Sequence, residues 1–539
     1  MPVPDRAVVG ARIRTLDPTQ PFATAVAMHD GIITEVGDDA AVRSQCDATT
    51  ELIDGQDMAI VPGLTDSHLH PFWGAEATQG LDLSDVWTPS ELNATLAAEW
   101  ERRQGSGWLV GWGLHFEPFL HTGIRAELFA DSVGEMPTYL GFFDGHTAVA
   151  DPRALARAGI TGPRHFDETA AIVCDPKGNP TGELQETAAM ELVRAAMPEP
   201  TDDDRYRWYV DAIRAFNRVG LTAIHSMDGE PATFDLLGKL EGNGDLSIRM
   251  ITPLWQKPDT PFDFMQEQLA LRTECGRRWR GGTAKFFIDG VIESGTAWLV
   301  EPDSKGEGML PFWPDPDCYH EAVNLFAGEG FQCITHAVGD MAVRFALDAY
   351  EAANAAPGIH HRIEHIEQLT DQDLPRFAEL GVVASMQPLH MHAFEPDLSD
   401  EWSNRVGSSR MARTFRTGDL KRSGAIVALG SDWMVAPFDP RLGMAWARLR
   451  RRPGQPERPP IGPEQCLSAM DTLHGYTVEA ARAVAEEHFS GRIAPGFRAD
   501  LTAFAEDPVD TAADDLIDLP VRMTVVDGEI VYRAADLNS

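Results

Sequence analysis

The chain predicts an α/β fold: a (β/α)8 TIM-like barrel, a small β-sandwich built from both termini, and an insertion after the first barrel strand. Three observations carry this. The middle of the 539 residues alternates eight apolar, strand-like runs with helical patterns. Both ends are β-rich and lack helical periodicity. One long gap separates the first strand from the second.

The N-terminal part, residues 1–57, shows short alternating strands at 8–13, 23–28, 31–36 and 50–53, with Gly31, Gly37 and Gly55 marking turns. Residues 58–485 form the barrel. Its strands are expected at 58–65, 221–226, 247–253, 283–289, 332–336, 362–365, 382–387 and 425–431. Helical patterns fall at 203–219, 231–239, 261–275, 317–327, 341–353, 371–380 and 440–450. The insertion, about 73–200, carries helices at 89–104 and 152–158 and strands at 108–111 and 138–142. Residues 486–539 complete the sandwich with strands at 500–504 and 522–532, where Asp527-Gly528 is a hairpin signal.

Composition narrows the function class. Hydrophobic content of 43% and charged content of 24% suit a globular protein. A formal charge of −38 argues against nucleic acid or an anionic membrane as partner, because the summed field repels phosphate. No apolar run reaches the roughly 18 residues of a membrane span, and Met1-Pro-Val-Pro-Asp-Arg6 shows no secretory signal pattern. The six cysteines are scattered, with no C-x-x-C pair, so reduced thiols and a cytoplasmic location are expected.

Barrel active sites lie at the C-terminal ends of the strands. Strand 1 runs into Asp66-Ser67-His68-Leu69-His70, and residues i and i+2 of a strand face the same side, so His68 and His70 can present two imidazoles to one point. Strand 4 carries Lys285, strand 5 ends at His336, strand 6 at His365 and strand 8 at Asp432. Individually these residues read as core histidines, a helix cap and an edge lysine. Together, on five strand ends, they read as a divalent-metal site. A buried ammonium is costly unless paired; reaction of the Lys285 amine with carbon dioxide would make it an anionic oxygen ligand able to bridge two ions.

The stretches Val61-Pro-Gly-Leu-Thr-Asp-Ser-His-Leu-His70, Asp144-Gly-His-Thr147, Gly178-Asn-Pro-Thr-Gly-Glu183, Lys285-Phe-Phe-Ile-Asp-Gly290, Thr335-His-Ala-Val-Gly-Asp340, Arg362-Ile-Glu-His-Ile-Glu-Gln368, Ser385-Met-Gln-Pro388 and Gly430-Ser-Asp432 resemble the amidohydrolase superfamily, and within it the YtcJ-like (amidohydrolase 3) group. The resemblance implies one or two divalent ions, with zinc the expected metal. His68 and His70 would hold one ion with Asp432 near it. Lys285, as N6-carboxylysine, would bridge it to a second ion on His336 and His365. A bound ion lowers the pKa of its water to about 7, and Asp432 would act as general base and acid in hydrolysing a C–N bond of a small amide, N-acyl or N-formyl compound. A deaminase of a cyclic amidine and a non-catalytic regulatory protein on the same scaffold are the competing readings. Substrate contacts are expected from His146, Trp73, Trp112, His225, Trp298, Gln387 and Trp433; His390 and His392 follow strand 7 as further loop polarity. A homodimer is compatible with the acidic surface.

Overall fold

The computed structural model describes all residues except Met1, Asp144, 167–169, 354–355, Pro396, Leu398 and 536–539, and the side chain of Ala393. Eight parallel strands form the central sheet: β1 (Leu64–Leu69), β2 (Leu221–Ser226), β3 (Arg249–Trp255), β4 (Trp279–Phe287), β5 (Gln332–Ala337), β6 (Arg362–His365), β7 (Val383–Met386) and β8 (Ile426–Leu429). Each pairs with its sequence neighbour. Beyond the last strand, the Asp432 N–H donates to the His68 carbonyl at 2.7 Å and joins the end of β8 to β1. Helices between strands, such as Pro316–Gly328 and Asp340–Ala353, pack apolar faces (Tyr319, Val323 and Phe326; Val343, Ala346 and Leu347).

The expected strand at 58–65 is two strands. Ala59–Pro62 pairs with Leu501–Phe504 and Arg12–Arg14 in the terminal sheet, and β1 begins at Leu64. Gly63 makes the transfer between sheets: a Cβ there would lie 2.3 Å from Thr222 Oγ1, so only glycine lets the backbone pass. His68 therefore sits within β1 rather than after it. The expected strand at 8–13 divides similarly at Gly10 (φ 77°) into Arg6–Val9 and Arg12–Arg14, which belong to different sheets. The helical pattern at 371–380 yields a helix only over Arg376–Leu380, because Pro375 disfavours helical geometry at the residue before it.

Of the two terminal sheets, the four-stranded one comes from the N-terminal segment alone and the six-stranded one draws on both ends of the chain. Val8, Ile13, Val26, Ile33, Ile53, Ile60, Leu501, Met523 and Val525 form their common core. The hairpin between Val521–Val526 and Glu529–Arg533 turns at Asp527 (φ 57°) and Gly528 (φ 74°), the left-handed pair of a type I′ turn.

A second compact unit consists of Phe72–Tyr209 with Trp433–Ala436. Its six-stranded sheet runs Ala171–Cys174, Pro180–Gln185, Thr147–Ala150, Thr138–Phe142, Leu109–Leu114, Leu81–Asp82. Its helix Pro89–Arg103 starts on a Thr88/Glu91 capping box. Leu92, Leu96, Phe129, Leu140 and Phe142 build one of its cores.

Candidate metal centre

The site is built where strands end. Asp66 on β1 accepts from the N–H of His68 (3.0 Å) and of Ser431 (3.1 Å), tying β1 to the segment after β8. Burial raises the Asp66 pKa to about 7. His68 and His70 each aim Nε2 at Asp432 Oδ1, at 3.2 Å in both cases. Their Nδ1 atoms are held from behind by Glu364 Oε2 (2.6 Å) and Asp228 Oδ1 (2.5 Å). A carboxylate at Nδ1 holds the proton there, the tautomer that would turn the Nε2 lone pair to an ion; burial would lower His70, but Asp228 and Asp432 outweigh it and raise its pKa to about 9, so a bound ion would displace the Nε2 proton.

His365 reaches the same point by an unusual route. Arg362 and Glu364 share one side of β6 by strand alternation, and His365, next to Glu364, would face away. Positive φ at His365 (75°) and Ile366 (52°) turns it inward. Asp432 is also left-handed (φ 60°). His68, His365 and Asp432 then offer one ligand atom each, all within 4.8 Å of one another. His336 stacks on Phe287 (3.7 Å between ring centroids) and lies 4.4 Å from the His365 ring, with Nε2 3.3 Å from the Gly290 carbonyl. Lys285 is buried on β4; Met227 Sδ lies 3.6 Å from Nζ, and no described carboxylate takes its hydrogen bond. His365 thus lies beside His336, its partner in the resemblance, and beside His68 and Asp432.

The electrostatics suit a cation. Burial would raise Asp432, but the neighbouring imidazoles, His68 foremost, hold it well below the usual carboxylate range. Burial and the imidazoles of His336 and His68 push His365 well down, so it is neutral and ligand-competent. Burial would likewise raise Glu364, yet Arg362 and His68 outweigh it and keep it ionised. Burial pushes Lys285 down to about 8.

The residues fit a metal by an independent measure. Nε2 of His68, Nδ1 of His365, Nε2 of His390 and Oδ1 of Asp432 are all buried without a hydrogen-bond partner. Such atoms are rare in folded proteins, because leaving them unpaired costs about 1–3 kcal/mol each. Three unpartnered imidazole nitrogens beside one unpartnered carboxylate oxygen make a donor set that a cation would satisfy.

The candidate substrate contacts separate by location. His225 is buried on β2, and its Nδ1 accepts from Arg362 Nη1 at 2.9 Å, so the ring supports the Arg362–Glu364 pair inside the barrel. Gln387 is buried after β7 with Oε1 unpartnered. Trp298 is half-buried; its backbone N–H donates to Asp289 and its ring packs on Phe345 at 5.2 Å. His146, Trp73, Trp112 and Trp433 belong to the second unit. There His146 Nδ1 meets Glu186 at 2.8 Å, and Trp433 packs over Gly74. Asp144 lies outside the described residues.

Sequence reasoning assigned no role to Asp66, Asp228, Arg362 and Glu364, and read His390 as loop polarity. Glu364 had a signal: it follows Arg362 by two residues in a four-residue strand buried throughout, where each charge needs a partner. Asp228 and His390 sit in turns whose direction sequence does not reveal.

Parallel barrel and imidazole–carboxylate centre together define a metal-dependent hydrolase. Residues 51–532 match the model of the amidohydrolase family, and the chain belongs to that family. It is 29% identical to LONG AFTER FAR-RED 3 of Arabidopsis thaliana, across 98% of this chain and 92% of that protein. Identity is 28% to the YtcJ amidohydrolase of Bacillus subtilis (strain 168), across 94% and 96%. It is 25% to N-substituted formamide deformylase of Arthrobacter pascens, across 98% of both. An uncharacterized metal-dependent hydrolase from Pyrococcus horikoshii shares the fold at TM-score 0.74 and 23% identity, covering 94% of this chain and 99% of that one.

Proposed function

We propose that this protein hydrolyses the C–N bond of a small N-acyl or N-formyl compound, with Asp432 as the group that moves the proton. The supporting observation is the convergence of His68, His70 and His365 on a buried Asp432 whose Oδ1 is unpartnered. The full-length similarity to a formamide deformylase favours an N-formyl or N-acyl substrate over a cyclic amidine.

His68, His70, His336, His365 and Asp432 would hold the metal, with Lys285 as a further ligand once carboxylated; imidazole and carboxylate donors suit zinc. When bound, the ion supplies Lewis-acid polarisation of the scissile carbonyl and a water acidic enough to ionise at neutral pH. Asp432 accepts the proton of the attacking water at Oδ1 and returns it to the departing amine nitrogen. Glu364 and Asp228 keep His68 and His70 in the tautomer that faces Asp432. Ser431 and His68 backbone N–H groups anchor Asp66 and so fix the β1–β8 seam that carries both partners.

The test is Asp432→Asn in zinc-loaded protein against a panel of N-formyl and N-acyl amines. Turnover should fall by roughly 10²–10⁴-fold, the span of general acid–base catalysis, with metal content retained. Unchanged kcat removes Asp432 from the reaction. Ammonia release without a carboxylate product turns the reading to deamination.

A further inference from the structure

A cavity of about 330 Å³ opens at the N-terminal ends of β4, β5 and β6, on the barrel face opposite the metal centre. That volume is within the range of small-molecule sites, about 300–1,000 Å³. Its walls come from the segments that lead into those strands, around Gly282, Gly330 and Gly358, and from Ala485. All four have left-handed backbone, with φ of 85°, 82°, 84° and 59°. A Cβ at Gly358 would meet nothing within 4 Å, so the space beside it is open. Ala485 carries a Cβ and is strained in this conformation, and such strain collects at ligand-binding segments.

Two guanidinium groups stand at this cavity. Arg280, on β4, is fixed in place: Nε donates to Glu486 at 2.8 Å, Nη1 to the Gly281 carbonyl at 3.2 Å and Nη2 to the Val484 carbonyl at 3.0 Å. Glu486 is shared, because its other oxygen accepts from Arg498 at 2.5 Å. Arg272, on the 3₁₀ turn Leu269–Thr273, has no ion pair or side-chain hydrogen bond among the described residues. Its Nη1 lies 3.7 Å from where a Gly330 Cβ would stand, and Arg280 Nη1 lies 3.9 Å from the same point at Gly282. Glu274 also lines the cavity, but it forms no ion pair with either arginine. The chain has 83 acidic and 45 basic side chains, so carboxylates are plentiful, yet Arg272 has none. A guanidinium presents a planar fork of N–H groups that matches the oxygens of carboxylate and phosphate. Glycine walls let such a group approach the backbone closely.

We propose that this cavity binds a small oxyanion, the carboxylate or phosphate group of a metabolite, with the free Arg272 fork as its contact and Arg280 as a fixed positive charge in the wall. The site is separate from the metal centre and does not depend on what that centre hydrolyses. It shares strands with it: β4, β5 and β6 carry Lys285, His336 and His365 toward their other ends.

Cys275 lines the cavity with a free, exposed thiol and serves as a local reporter; Cys318, exposed on the helix Pro316–Gly328, is the control. Full-length protein is alkylated with iodoacetamide, a neutral reagent, in sodium chloride, phosphate or acetate at equal ionic strength, and both thiols are read by mass spectrometry. Phosphate or acetate should slow Cys275 about tenfold once the site is about 90% occupied, with Cys318 unchanged. Protection by phosphate alone or by acetate alone identifies which oxyanion the cavity takes. Arg272→Gln should abolish the protection while Cys275 reacts at the unprotected wild-type rate, which shows that the fold around it is intact. Equal Cys275 rates in chloride, phosphate and acetate overturn the inference. Protection that persists in Arg272→Gln, or that extends equally to Cys318, overturns it as well.

Discussion

Two clusters of buried charge sit at opposite ends of the barrel strands, and they differ in how completely their atoms are paired. At the N-terminal end of β3, Arg249 donates to Asp500 at 2.6 Å and to Asp527 at 3.1 Å. Asp527 also accepts from Arg277, and its N–H donates to Asp500 at 2.7 Å. Cation and carboxylate match, and the terminal sheets are fastened to the barrel by it. At the C-terminal ends, His68, His365, His390 and Asp432 surround one another with lone pairs and N–H groups unmatched. Folding alone explains the first cluster. The second is complete only with something added, which is how a functional site differs from a structural ion network.

Removing the metal gives the largest contrast. Chelation should take hydrolysis to background and divalent add-back should restore it, while far-ultraviolet circular dichroism holds, because the Arg249 network does not depend on the ion. The melting temperature should also fall, since a ligand bound to the folded state stabilises it by mass action. Undiminished activity in protein shown by elemental analysis to be metal-free would erase the distinction between the clusters.

Asp527→Asn probes the other end. It strips a carboxylate shared by Arg249 and Arg277, and should cost about 3 kcal/mol of stability, the low end for breaking a buried pair because Arg277 is half exposed. The kcat should not move. Burial would raise the Asp527 pKa, but Arg277 and Arg249 outweigh it and hold it below its ordinary value. A depressed folded pKa contributes stability above the unfolded value of about 3.9 and loses it as pH falls through the folded one. Wild-type protein should therefore show an acid-unfolding limb that is shallower in Asp527→Asn. Urea titrations at pH 7 and pH 3 measure both effects, and equal stability losses at the two pH values count against the pairing.

Much of this was legible in the chain, for identifiable reasons. Strands buried on both faces read as continuous apolar runs, so β7 and β8 fall within the expected residues. Strand periodicity placed His68 and His70 on one side, and polar residues at strand ends marked Lys285, His336, His365 and Asp432. What periodicity could not show was backbone outside the regular regions. Positive φ at His365 and Asp432 aims those side chains, and nothing in their identity announces it. Gly63 divides an apolar run that looks like one strand. His390 and Asp228 reach the site from turns, tens to hundreds of residues from their neighbours there.

The carboxylates behind His68 and His70 should give the smallest and most specific effect, because they would act on the metal through a ligand. Asp228 is the better probe of the two, since removing Glu364 also strands the fully buried Arg362. Asp228→Asn keeps an oxygen to accept from His70 Nδ1–H, so the tautomer persists while the charge that makes Nε2 a stronger donor is gone. Asp228→Ala loses both. Outer carboxylates of this kind are worth about 10–100-fold in metal affinity, so Asn should sit near the lower figure and Ala near the upper. Competition against a chelator of known affinity reads the two values directly. Equal affinities for wild type and Asp228→Ala would mean that His70 does not bind the ion, and would leave His68, His365 and Asp432 as the centre.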